Sequence, residues 1–136
     1  METREVLLSL FKVLFSEEIT NHFEVAEVKE HKDRIEIKME ELRELVPPGL
    51  HSCNDIVLDG FCNPLELQSF PLKGKPVYLK LYRRRWKGRG SKVHFSNDYD
   101  LHPEGVKATR EFAAFLKEAF GYTPGQYNDN LRSIMR

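Results

Sequence analysis

Two runs of this sequence alternate apolar and polar residues with a strand's period of two, and they constrain the rest of the chain. Arg34-Ile35-Glu36-Ile37-Lys38-Met39-Glu40 puts Ile35, Ile37 and Met39 on one face. Residues 77–86, rich in β-branched and aromatic side chains, put Val77, Leu79 and Leu81 on one face. Tyr78, Lys80, Tyr82, Arg84 and Trp86 then share the other. The first run pairs with Phe23-Glu24-Val25-Ala26-Glu27-Val28, which carries one irregularity, across a turn at His31-Lys32-Asp33. The second is followed by Gly88-Arg89-Gly90, a tight reversal that lets Lys92-Val93-His94-Phe95 pair back as another arm.

Helical spacing frames these strands. Val6, Leu7, Leu10, Phe11 and Leu14 mark an amphipathic helix over residues 3–15. Pro103 suits the first turn of a final helix whose buried stripe is Ala108, Phe112, Phe115, Leu116 and Ala119, stopped by Gly121. Pro47-Pro48-Gly49 ends the acidic hairpin, Ile56-Val57-Leu58 makes a short strand, and Asn63-Pro64 and Lys73-Gly74-Lys75-Pro76 signal turns. The expected class is α+β: an antiparallel sheet of about four or five strands, with an N-terminal helix and a C-terminal helix packed on its apolar face. Residues 1–122 form one domain, and 123–136 a short helix or tail. A chain of 136 residues with 40% hydrophobic content has enough material for one core.

Charge is distributed far less evenly than the net value of zero suggests. Residues 71–92 hold nine Lys and Arg and no Asp or Glu, while all twenty-one acids lie elsewhere. No apolar run reaches the roughly 18–20 residues of a membrane span. No export leader is visible, so the expected location is cytoplasmic, with Cys53 and Cys62 as reduced thiols.

The basic segment is the candidate site. Cations interleaved with flat rings suit nucleic acid, since Lys and Arg neutralise phosphates and rings stack on bases or sugars. The residues that would carry it are Lys80, Tyr82, Arg83, Arg84, Arg85, Trp86, Lys87, Arg89 and Lys92. This requires accessible guanidinium groups and an accessible indole. The alternative is a solvated sheet face, with Lys80 paired to acids of the 23–40 hairpin and Trp86 an edge anchor of the core. His51, Cys53, Cys62 and His94 lack the paired knuckle spacing of a zinc site, so no metal and no cofactor are expected. No phosphate loop or nucleophile elbow occurs, and a Cys53–His51 pair has no orienting third group, so no catalytic residue is assigned.

The stretch Phe70-Pro71-Leu72-Lys73-Gly74-Lys75-Pro76-Val77-Tyr78-Leu79-Lys80-Leu81-Tyr82-Arg83-Arg84-Arg85-Trp86, followed by Phe112-Ala113-Ala114-Phe115-Leu116-Lys117, resembles the N-terminal region of ISAon-type insertion-sequence transposases. In that family a short first protein precedes a separately encoded catalytic one. The order of an acidic hairpin, a Gly turn and a basic strand is also similar to the zinc-ribbon module of the ISL group of transposases. Here Lys87-Gly88-Arg89-Gly90-Ser91-Lys92 stands where that module has its second cysteine pair, so the resemblance implies a ribbon-type module that has lost its metal. It implies DNA binding at transposon ends, with Arg83, Arg84, Arg85 and Trp86 as the matching basic exit and the cutting carboxylates on the other polypeptide. The function expected is a non-catalytic, transposon-encoded DNA-binding module assisting that catalytic subunit. The alternative is an adaptor that docks its basic hairpin on the catalytic subunit without touching DNA.

Overall fold

The computed structural model describes residues 2–50 and 55–121. In chain order the elements are α1 (Thr3–Leu14), α2 (Glu17–Thr20), β1 (Phe23–Glu30), β2 (Ile35–Glu41), a 3-10 turn (Pro48–Leu50), β3 (Ile56–Phe61), β4 (Leu65–Leu72), β5 (Lys75–Tyr82), β6 (Arg84–Gly88) and α3 (Arg110–Ala119). The class is α+β. The strands fall into two sheets, one of four strands in the order β1-β2-β5-β4 and one of two, β3-β6.

The apolar faces of both alternating runs form as their pattern demands. β2 and β5 lie side by side, with Ile35 opposite Val77, Ile37 opposite Leu79 and Met39 opposite Leu81. All six are buried, together with Leu67 of β4, Ile19 of α2, Phe23 and Leu101. Burying side chains of this size contributes about 1.5–3 kcal/mol each, so this one layer is the main source of stability. The irregularity in β1 is a bulge between Val25 and Glu27. His31 closes the β1–β2 turn by donating its N–H to the Arg34 carbonyl at 2.8 Å. Lys73 and Gly74, both at positive φ, make the two-residue turn between β4 and β5.

Three expectations change. The sheet is mixed, not antiparallel throughout, because β2 and β5 run parallel while β1–β2 and β4–β5 run antiparallel. The intervening chain carries β3 and β4, which gives the length that a parallel connection needs. Secondly, the strand at 77–86 breaks at Arg83, and the segment around Phe95 meets β6 only through one bridge to Trp86. Thirdly, the final helix begins at Arg110, where the Thr109 hydroxyl caps it by accepting from the Phe112 N–H at 3.3 Å. It lies against the free edge of β4, where Gln68 exchanges backbone hydrogen bonds with Lys107 and Thr109. Ala108, Phe112 and Leu116 form a small core of their own, while Phe115 and Ala119 stay exposed.

The N-terminal helix forms as its spacing predicts but buries none of its residues. Phe11 and the following Phe15 touch the main core, and the other large apolar residues of α1 remain on the surface. Residues 123–136, expected as a short helix or tail, lie outside the described residues, as do His51 and Cys53. No helix among the described residues is long and apolar enough to cross a membrane.

Candidate nucleic-acid interface

The interface is shaped by what happens at Arg83. β2 ends at Glu41, a carboxylate in phase with Ile35, Ile37 and Met39 and therefore aimed into the core, where it is fully buried. Its Oε1 accepts the backbone N–H of Arg84 at 2.8 Å, and its Oε2 accepts from Asn97 Nδ2 at 3.0 Å and from the Tyr99 hydroxyl. Arg84 Nε in turn donates to the Glu41 carbonyl at 2.7 Å. Burial first, and the bond to Glu41 second, push the Tyr99 hydroxyl above its ordinary pKa. Arg84 thus spends its backbone N–H on a side chain rather than on a strand neighbour, and the chain leaves the large sheet to pair with β3. Arg83 bridges the two strands, its carbonyl accepting from the Cys62 N–H at 2.9 Å.

One residue of connection reverses the alternation. The inward residues of β5 are Val77, Leu79 and Leu81, whereas those of β6 are Arg84 and Trp86. The expected continuous face of Tyr78, Lys80, Tyr82, Arg84 and Trp86 therefore ends at Tyr82. Arg84 is buried, with its guanidinium 5.0 Å from the centre of the Phe61 ring and 3.9 Å from the Glu40 carboxylate. Trp86 is 7% exposed, and its indole N–H is enclosed without an acceptor among the described residues. Neither side chain meets the accessibility that base or phosphate contact requires, and Arg84 ties the ribbon to the end of β2.

The same reversal turns Arg85 and Lys87 outward. Arg89, just past the strand, continues their row on the face that carries Asp55, Val57 and Asp59 of the neighbouring strand segment. Arg85 Nε donates to the Asp59 carbonyl at 2.8 Å, and its guanidinium stands 3.7 Å from the Asp59 carboxylate. Arg89 Nε lies 2.9 Å from each Asp55 oxygen. Asp59 also meets His94 Nε2; that hydrogen bond, ahead of the attraction of Lys87 and Arg85, holds its carboxyl below the ordinary range. Lys87 forms no ion pair among the described residues, and Lys92, beyond the reversal, is exposed and unpaired among them.

Back on the large sheet, Lys80 is 3.5 Å from the Glu36 carboxylate, the cross-pairing that a solvated sheet face implies. Lys38 sits 5.1 Å over the Tyr82 ring. Arg83 donates to the Asn97 carbonyl at 2.9 Å and to the Asp98 carboxylate. Of the nine candidate residues, then, three share one outer surface, Arg85, Lys87 and Arg89, and Lys92 is exposed beyond the reversal. Asp55 and Asp59 are the residues that sequence reasoning missed there; their period-two spacing with Val57 on a short strand was the available signal.

The chain was compared with family models, with curated proteins and with solved structures. It matches none.

Ion pairs exposed to this degree contribute only about 0–1 kcal/mol, so a phosphate can replace Asp55 or Asp59 as the partner of Arg89 or Arg85 at small cost. Three cations, Arg85, Lys87 and Arg89, face the two carboxylates Asp55 and Asp59 on this surface, which leaves it net positive. Among the described residues no group of three or more His, Cys, Asp or Glu side chains is placed to hold a metal ion. Cys62 is a free thiol.

Proposed function

We propose that the chain is a non-catalytic, transposon-encoded DNA-binding module that assists a separate transposase catalytic subunit. DNA contact runs along the row Arg85, Lys87 and Arg89, with Lys92 at its end. The observation that carries this reading is the outward row itself, three cations spaced by two on one face of a short ribbon. Such a row matches repeated phosphates better than it matches a single acidic group. Arg84 and Trp86 support the ribbon from beneath. Arg83 fixes the crossing between the sheets, and Lys80 and Tyr82 lie on the adjoining sheet face as secondary contacts. The resemblance to ISAon-type transposases supplies the transposon context and the catalytic partner.

The test is fluorescence anisotropy with element-end and random duplexes over a range of salt. Replacing Arg85, Lys87 and Arg89 together by Ala should abolish most binding and lower the slope of log K against log salt by roughly 2.7, about 0.9 per lost phosphate contact. An unchanged slope means that the row is not the DNA surface.

One observation favours the adaptor reading as the second choice. Arg83, Arg85 and Arg89 are each already engaged by a carboxylate or carbonyl of this chain, so a protein surface offering similar acids is also a suitable exchange partner. Absence of binding to either duplex at low salt, with retention of the chain by the catalytic subunit, selects that reading.

A further inference from the structure

Among the described residues, exposed large apolar side chains concentrate on α1 and its surroundings. At 100° per residue, Leu7, Leu10, Leu14, Val6 and Val13 fall within about one third of the helix circumference, with Phe11 at its margin. Phe11 turns towards the body of the domain. The stripe does not, and Val13 is 81% exposed. Where α1 ends, a groove of about 320 Å³ opens beside it, with Val13 and Leu14 on one wall and Phe70, Thr109 and Glu111 on the other. The apolar surface continues past that wall. The Phe70 ring packs at 5.4 Å on Phe115, which packs at 5.7 Å on Phe120, and all three are partly open to solvent.

Summed over these side chains, which are between 39% and 81% exposed, the patch offers on the order of 800 Å² of largely apolar surface. Lone soluble domains show roughly 300–600 Å² in their largest patch, whereas one side of a standard stable interface covers about 800 Å². The patch also has the shape of both halves of a contact. A convex ridge, α1, stands next to a concave groove on the same face, which is what a two-fold, isologous pairing requires. Among the residues named, Glu111 contributes the only charge. With a net charge of zero, two chains meet without long-range repulsion.

We infer that a second copy of this chain covers the patch, the α1 ridge of each copy lying in the groove of the other. The pairing would place two basic rows in one assembly, but it does not depend on DNA binding.

Sedimentation across micromolar to sub-millimolar concentrations tests it directly on the full chain. Wild type should sediment as a dimer. Changing Leu7→Asp and Leu10→Asp together, on residues that touch little of their own domain, should weaken association roughly thirtyfold or more while circular dichroism stays unchanged. Phe115→Ser, at the rim, should weaken it about tenfold or less. If the paired variant unfolds, Val13→Lys is read in its place. A wild type that remains monomeric throughout overturns the inference, whether its own residues 122–136 or another protein covers the patch. A dimer that persists unchanged in the α1 variants overturns it equally.

Discussion

The four-stranded sheet and the β3–β6 ribbon share one continuous stretch of chain, yet they are held by different physics. In the sheet, Ile35, Ile37, Met39, Val77, Leu79 and Leu81 form paired apolar rows without a charge among them. In the ribbon the inward positions of β6 are an arginine and a tryptophan, and the attachment runs through Glu41, a buried carboxylate with three donors converging on it. A hydrophobic layer is non-directional and tolerates adjustment, whereas a buried charge demands that every partner stay in place. The basic surface of this molecule is therefore carried by the less redundant of its two sheets. Its exposure depends on one residue, Arg83, that shifts the phase of the strand.

That contrast breaks most visibly at Glu41. Glu41→Ala leaves the Arg84 N–H, Asn97 Nδ2 and the Tyr99 hydroxyl without their acceptor, and should cost about 3–5 kcal/mol in urea unfolding. Trp86 is the only tryptophan and sits in the ribbon, so its fluorescence reports there, while far-ultraviolet circular dichroism is weighted towards the sheet. In this variant the fluorescence transition should precede the dichroism transition. Coincident transitions with a cost below about 1 kcal/mol would show that the ribbon is held by something other than this joint.

Leu79→Ala is the matching cut in the sheet. Leu79 is fully buried between β2 and β4, so the loss should be about 2–5 kcal/mol with both probes moving together. The comparable cut in the ribbon, Leu58→Ala, removes a side chain already 36% exposed and should cost less than about 1 kcal/mol. Equal losses at the two positions would erase the distinction between the regions.

Legibility follows the same division. Strands with an apolar face announce themselves by period, and β1, β2, β5 and the turns at His31 and Lys73-Gly74 were all readable. In the ribbon the start of β3 was readable from Ile56-Val57-Leu58, but β6 was not, because Arg84-Arg85-Trp86-Lys87 has no apolar alternation to read. One clue was present: Trp86 is even-numbered, whereas Val77, Leu79 and Leu81 are odd, so one unbroken strand could not bury all four. Glu41 left a similar trace, as the charged residue in phase with Ile35, Ile37 and Met39. At the candidate site the basic segment was identifiable from charge alone. Which of its cations faced outward depended on Arg83, whose role is set by Cys62 and by a residue 43 positions away from Arg84, contacts that no local pattern encodes. For α1 the periodicity was right and its meaning incomplete, since an amphipathic stripe specifies a buried face without specifying which molecule buries it.

The smallest expected effect lies in the charged rim of the large sheet. Glu30 is pulled down to about 2, first by its hydrogen bonds with Lys73 and then Lys75; these pairs tie the end of β1 to the β4–β5 turn. Glu36 is likewise pulled down to about 2, chiefly by its hydrogen bond from Arg34. Both folded values lie below the ordinary carboxyl value of 4.5, so their contribution to stability is present above that pH and is lost as the pH falls towards about 2. Glu30 is exposed and Glu36 lies half-covered on the polar face of β2, so the contribution is small and screened by salt. The melting temperature of the wild type should fall between pH 4.5 and 2, and Glu30→Gln with Glu36→Gln should make that fall shallower, with a smaller difference in high salt. Asp59, the corresponding carboxylate of the ribbon, is lowered through His94, so adding Asp59→Asn should flatten the curve a little further. A triple variant that melts along the wild-type acid curve would place the acid sensitivity outside these three carboxylates.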